Sequence, residues 1–278
     1  MLGDSWDRVL LAVGLGAART LPLTWLVPAL GGPRVAAEVR VGLGVLLAVL
    51  CLPVLLPAVS GSIAAATAPA PALASTLALG PAGWVILVAR ELLVGVTVGL
   101  CAGAVFRAAE AAGRLVDILR GANMAEVLSP TSDERTSPTG DLYLFVAVMV
   151  FLELGGLRLF AVALARSYEA IPIGSPPSAA ALRPAAELVT LATAKLLESA
   201  VALAAPVLVA LWLADVALGV VGRAAPQIPI YFAAMPAKAL LGLGMVLVGL
   251  GAVDAAFTAG LPAWVALVER AFLVWRTR

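Results

Sequence analysis

The sequence predicts an all-α integral membrane protein built of helical hairpins, and three observations carry that prediction. Hydrophobic residues make up 62% of the chain and charged residues 13%, against about 45–50% and about 25% in a soluble domain. Mean hydropathy is +1.06, more apolar surface than one globular core of 278 residues can hide. Apolar segments recur at about 9–30, 41–59, 82–106, 142–165, 199–222 and 239–268, and none alternates like a barrel strand. A backbone crossing lipid must satisfy its own hydrogen bonds, so these segments read as helices, and residues 1–278 as one membrane-embedded domain.

Each segment has its own reading. The first follows "MLGDSWD", whose Asp4 and Asp7 replace the basic start of a secretory signal, so it reads as a retained membrane helix carrying Arg19. The second, "VGLGVLLAVLCLPVLLPAV", is an uninterrupted charge-free run near the roughly 20 residues a span needs. Residues 60–81 are rich in Ala, Pro, Ser and Thr without charge, as in a flexible loop on the non-cytoplasmic side. In the third segment Gly95, Gly99 and Gly103 form a stripe of small residues along one helix face, with further notches at Gly42/Gly44 and Gly242/Gly244/Gly249/Gly251. Such a stripe admits a second helix closely, from this chain or from another. The fourth segment carries Glu153 and Arg158, the fifth Asp215 and the last Asp254.

Topology signals disagree. Four arginines in 107–141 and two in 31–40 place both loops on the cytoplasmic side. Strict alternation through the segments then puts the C-terminus outside, yet the tail "ERAFLVWRTR" is basic. Either one segment is not a simple span, or the chain does not sit in the bilayer like an ordinary transporter.

Several chemistries are excluded or weakened. The chain has no histidine, which removes Ser-His-Asp triads, Cys-His dyads and His-based metal helices. Cys51 and Cys101 lie apart in apolar runs and read as small core residues. A net charge of +1 gives no basic field for nucleic acid. Lys195 and Ser199 stand one turn apart, but Glu198 favours a charged lysine, so the group reads as a surface ion pair. No catalytic residue, metal site or cofactor is expected.

The informative stretch is "AGRLVDILRGANMAEVLSPTSDERTSPTG", Ala112 to Gly140, a charged interruption between apolar segments. Arg107, Glu110, Arg114 and Asp117 are spaced three, four and three, so they line one helix face with alternating sign. Gly121 follows as a helix stop. The stripe is either a solvated juxtamembrane surface or a polar face inside a membrane assembly. Further on, Asp215 within a span suits a proton-coupled site or an inter-helix contact, and the contact is the favoured reading. Pro226, Pro229 and Pro236 predict a bent hairpin tip between the last two segments.

These residues also carry a resemblance. "VDILRGANMA" followed by "SP…TSPTG" resembles the "IDNQRGASMA…DP…TSPLG" pattern of the SctT/FliR family, the T component of the type III secretion export apparatus. In the same order, "RELLVGVTVG", "FLELGGLRLF", "SYEAIPIG" and "LGVVGRAAPQIPIYFAAMPAKALLG" resemble that family's later motifs. "TSPTG" leans toward the injectisome branch over the flagellar one. The match is good over 85–250. Asp117, Arg120, Gly121, Met124, Pro130, Pro226, Gln227, Pro236 and Lys238 match, whereas Ile118, Leu119, Asn123, Ser129 and Pro229 depart from the pattern.

The resemblance implies helical hairpins, an R-like part followed by an S-like part, raised partly out of the bilayer in the assembled gate. It implies a non-enzymatic subunit in the bacterial inner membrane that forms, with R and S subunits and the U and V components, a conduit for unfolded secreted proteins. Subunit-interface or gate candidates are then Glu91, Gly95, Gly99, Gly103, Arg107, Glu110, Arg114, Asp117, Arg120, Gly121, Met124, Asp215, Arg223, Pro226, Gln227, Pro236 and Lys238. Met124, flexible and apolar, would help seal the conduit. The alternative is a small-molecule secondary transporter using the intramembrane acids Asp215 and Glu153.

Overall fold

The structure is a computed structural model that describes residues 2–32, 35–56, 80–121, 137–173, 179–225, 227 and 230–275. Every regular element among the described residues is helical. In order these are α1 (Leu2–Leu26), a 3-10 turn (Pro28–Leu30), α2 (Ala37–Leu50), α3 (Pro81–Arg120), α4 (Pro138–Glu153), α5 (Gly156–Ala170), α6 (Ala179–Ala224) and α7 (Ile230–Trp275). Residues 52–56 are also helical. Nearly all of the expected 60–81 loop, and Met124, Pro226 and Pro229, lie outside the described residues.

Local chemistry sets the helix ends. Pro81 opens α3, where its missing N–H costs nothing, and Gly121 closes it at φ 77°. Pro138 opens α4 in the same way. The fourth apolar segment is divided: Gly155 takes φ 72°, and the chain turns by 75° between α4 and α5. The fifth and sixth segments are the apolar parts of longer helices, since α6 and α7 each run 46 residues. At about 1.5 Å per residue that is roughly twice the ~30 Å of a hydrocarbon core. Four helices among the described residues are long and apolar enough to cross a membrane: Val9–Leu26, Pro81–Arg120, Ala180–Ala224 and Ala234–Trp275. Counting the bent pair α4–α5 as one broken span gives five.

The chain divides into two compact units, Met1–Gly103 with Phe151–Ala192 and Pro262–Arg278, and Ala104–Val150 with Thr193–Leu261. In the first, α1 packs on α2, and the Thr20 hydroxyl donates to the Gly44 carbonyl at 2.7 Å. The glycine stripe of α3 meets α1 directly: a Cβ at Gly95 would overlap the Arg19 carbonyl, and one at Gly103 the Leu26 carbonyl. That face is therefore occupied by this chain's own first helix. Leu15, Leu23, Leu55, Leu87, Ile171 and Ile173 fill the core around it. In the second unit Phe106, Tyr143, Ala147, Val207, Leu211 and Val246 are buried, and the Phe106 and Phe257 rings stack tilted at 5.8 Å.

Candidate functional site

The first unit holds a buried ionic cluster. Glu91 on α3 accepts from Arg19 Nε on α1 at 2.7 Å and from its neighbour Arg90 at 3.3 Å. The side chains of Arg19 and Glu91 are each 1% exposed. An uncompensated charge at such depth is costly, so the pair persists only because every polar arm is used. Arg19 spends its remaining donors on the Ser167 and Ile171 carbonyls, at 3.2 and 3.0 Å. These belong to the last turn of α5 and the residue after it, where carbonyls lack helical partners and carry partial negative charge. The guanidinium also lies 4.5 Å above the Tyr168 ring, whose hydroxyl donates to the Gly16 carbonyl at 3.1 Å. Arg90 reaches the Pro172 carbonyl at 3.4 Å. Residues 167–172 are thus bound to α1 and α3 through two arginines.

The second unit contains the charged stripe, and its first three members pair as their spacing predicts. Glu110 accepts from Arg107 at 3.1 Å and Arg114 at 2.7 Å, one turn either way. Asp117 does something else. Fully buried, it accepts from Arg120 at 2.7 Å, Ser137 Oγ at 2.6 Å, and the Thr139 amide and hydroxyl at 3.0 and 2.6 Å. The Ser137 hydroxyl oxygen accepts the Gly140 amide at 3.1 Å, and Pro138 has no N–H to satisfy. The first-turn donors of α4 at Thr139 and Gly140 are therefore met, with a carboxylate at the positive end of the helix dipole.

This junction is close because two glycines make it so. A Cβ on Gly113 would overlap the Thr139 carbonyl, and one on Gly140 would come 3.0 Å from the Glu110 carbonyl. Arg120 leads into the α6–α7 hairpin: its stem passes Gly242 of α7, where an added Cβ would stand 3.2 Å from Arg120 Cβ and Cδ.

In that hairpin Lys238 of α7 donates to Asp215 of α6 at 2.9 Å. Asp215 thus makes the inter-helix contact, and the Asp215 side chain remains 43% exposed. Arg223 stands exposed in the last turn of α6, and Gln227 is exposed beyond it. α7 does not break at Pro236: it begins at Ile230 and runs through this exposed proline, which sacrifices one backbone hydrogen bond near the helix start. Of the candidate residues, Met124 and Pro226 lie outside the described residues.

The sequence reading missed Arg19, Ser137, Thr139, Gly113 and Gly140 as site members. Two signals pointed to them. A lone arginine in an apolar helix requires an acid, and Ser-Pro before a helix marks an N-cap.

The fold and these clusters define a multi-helix membrane protein whose buried charges join helix to helix. The chain belongs to the bacterial export proteins, family 1, which it matches over residues 10–262. It is 35% identical over 156 residues to the Yop proteins translocation protein T of Yersinia pestis, covering 56% of this chain and 59% of that protein. It is 31% identical over 160 residues to the secretion system apparatus protein SsaT of Salmonella typhimurium, covering 58% and 61%. These matches span about three-fifths of those relatives. A longer match, 27% identical over 247 residues, joins it to the flagellar biosynthetic protein FliR of Pectobacterium carotovorum, covering 86% and 85%.

Proposed function

We propose that the chain is the T-type subunit of a type III secretion export gate, a non-enzymatic component of the inner membrane. With R and S subunits it forms a closed helical conduit for unfolded secreted proteins, next to the U and V components. The family membership and the resemblance to injectisome proteins support this reading.

One observation carries it. Within this chain, the most apolar windows of α6 and α7 are only 17% and 22% buried, against 56% for α1 and 50% for α3. The open faces carry Trp212, Leu213, Val216, Leu240, Leu247 and Val248, and among them lies the half-open Asp215 carboxylate. Acyl chains suit the leucines but not the carboxylate, whereas neighbouring helices suit both. Helices of this length, about 69 Å at 1.5 Å per residue, also suit an assembly raised partly out of the bilayer.

A secondary transporter would instead need an acid free to exchange its proton. Of its two acids, Glu153 is exposed at the end of α4 without an ion pair among the described residues, but Asp215 is held by Lys238, which weighs against that use.

Co-expression with R and S subunits followed by native mass spectrometry tests the proposal. The expected result is one copy of this chain with several copies of each partner. A purified chain that ignores those partners and moves a small solute unaided would sink it.

A further inference from the structure

We propose that α5 lies along the membrane surface, with its outward face on phospholipid headgroups and with Arg158 and Arg166 each paired to a lipid phosphate. The helix begins where the chain turns by 75° away from the apolar α4. With α4 pointing across the bilayer, a turn of 75° brings α5 close to the membrane plane. One side of α5 is fixed inside the first unit: Gly156, Leu164, Ser167 and Tyr168 are buried, and Arg19 holds the carbonyls at its end.

The other side has no cover among the described residues. Leu157, Leu159 and Val162 are 46%, 50% and 44% exposed. Arg158, Val162 and Arg166 form one row at four-residue spacing, about 12 Å from the first to the last. Both arginines are exposed, and neither has an ion-pair partner among the described residues. Of the exposed arginines elsewhere, Arg114 and Arg183 each sit on a glutamate, whereas Arg223 and Arg270 have no ion-pair partner among the described residues. Glu169 shares the outward face and leaves it with a net charge of +1.

A row of arginine, valine and arginine beside exposed leucines matches the chemistry of an interfacial helix. The apolar groups enter the acyl boundary, while the guanidinium groups rise on their stems to the phosphates. An acidic protein surface would meet the arginines but would gain less from the leucines and valine around them.

The test uses the full chain reconstituted in phosphatidylcholine nanodiscs with or without phosphatidylglycerol. Cys51 and Cys101 are both buried, so a fluorophore on Val162→Cys reports this face. The expected result is quenching by lipids spin-labelled near the headgroup and little quenching by aqueous iodide. Native mass spectrometry should show preferential retention of phosphatidylglycerol. That preference should fall about fivefold per arginine in Arg158→Gln/Arg166→Gln and persist in the Arg183→Gln control. Iodide quenching without lipid quenching would overturn the proposal, as would a double variant that keeps the wild-type lipid preference. A label shielded from both quenchers once R and S subunits are co-expressed would also overturn it, by assigning the face to protein. Should the double variant fail to fold, the Val162→Cys quenching pattern decides alone.

Discussion

Thr139 donates twice to Asp117, through its amide at 3.0 Å and its hydroxyl at 2.6 Å. The two residues are 22 positions apart, so this contact ties the start of α4 to the end of α3. With Ser137 and Arg120 the carboxylate takes donors on both oxygens. Removing it strands several enclosed donors at once. Asp117→Ala should therefore destabilise the protein by about 3–5 kcal/mol. Thr139→Val keeps the amide bond and loses the hydroxyl bond alone, about 1.5–3 kcal/mol for a bond to a charged group. Thermal unfolding of the purified chain in detergent checks the order. Equal losses in the two variants would mean that the amide, Ser137 and Arg120 contacts contribute nothing.

The glycines should separate by what an added methyl meets. Gly95→Ala and Gly113→Ala drive a Cβ into backbone carbonyls that cannot step aside. Each should cost about 1–3 kcal/mol, as overpacking does. At Gly99 the nearest atom is the Leu26 Cδ1 methyl at 2.8 Å, which can swing away, so Gly99→Ala should cost less. Gly42 and Gly244 lie in helices with nothing within 4 Å of the added atom. There alanine should gain about 0.5–1 kcal/mol from its helix preference. Melting temperatures of the five variants would rank them, and a destabilised Gly42→Ala would show that a partner helix already rests there.

The legibility of this fold varies with the range of the interaction. The all-α class was readable because lipid leaves an unclosed backbone no alternative to helix. Gly121 was readable as a helix stop, and Glu110 as partner to Arg107 and Arg114, because three- and four-residue spacing is local information. The same spacing offered Arg114 to Asp117, but Asp117 turns to Ser137 and Thr139, which lie beyond Gly121 and outside any periodicity. Arg19 meets partners 72 and 148 positions away, which no local pattern encodes. The reach of α6 was hidden for another reason. Its first half carries Arg183, Glu187, Lys195 and Glu198, and hydropathy detects the length that suits lipid rather than the length that is helical.

Arg19 and Glu91 should behave as a coupled unit. Glu91→Gln leaves two enclosed guanidinium groups with less negative charge between them, and should cost about 3–5 kcal/mol. Arg19→Met strands Glu91 and also frees the Ser167 and Ile171 carbonyls, so it should cost at least as much. The double variant Arg19→Met/Glu91→Leu should lose less than the sum, with a coupling of about 1–3 kcal/mol. Denaturation of the four proteins in one detergent measures that coupling, and strict additivity would mean that the two side chains act independently.

Asp215 and Lys238 should affect assembly more than folding. Their ion pair is half open, with side-chain exposures of 43% for Asp215 and 19% for Lys238. Exposed pairs contribute roughly 0–1 kcal/mol, so Asp215→Asn should hardly move the melting temperature of the isolated chain. In the proposed gate the same carboxylate is enclosed between helices, where leaving Lys238 without its acid becomes expensive. Asp215→Asn should then reduce recovery of the complex with R and S subunits, and Asp215→Lys more severely. The exchange Asp215→Lys/Lys238→Asp restores opposite charges across the hairpin and should recover part of the loss. Parallel measurement of melting temperature and complex yield distinguishes the cases: a variant that melts early yet assembles normally would assign the pair to the hairpin alone.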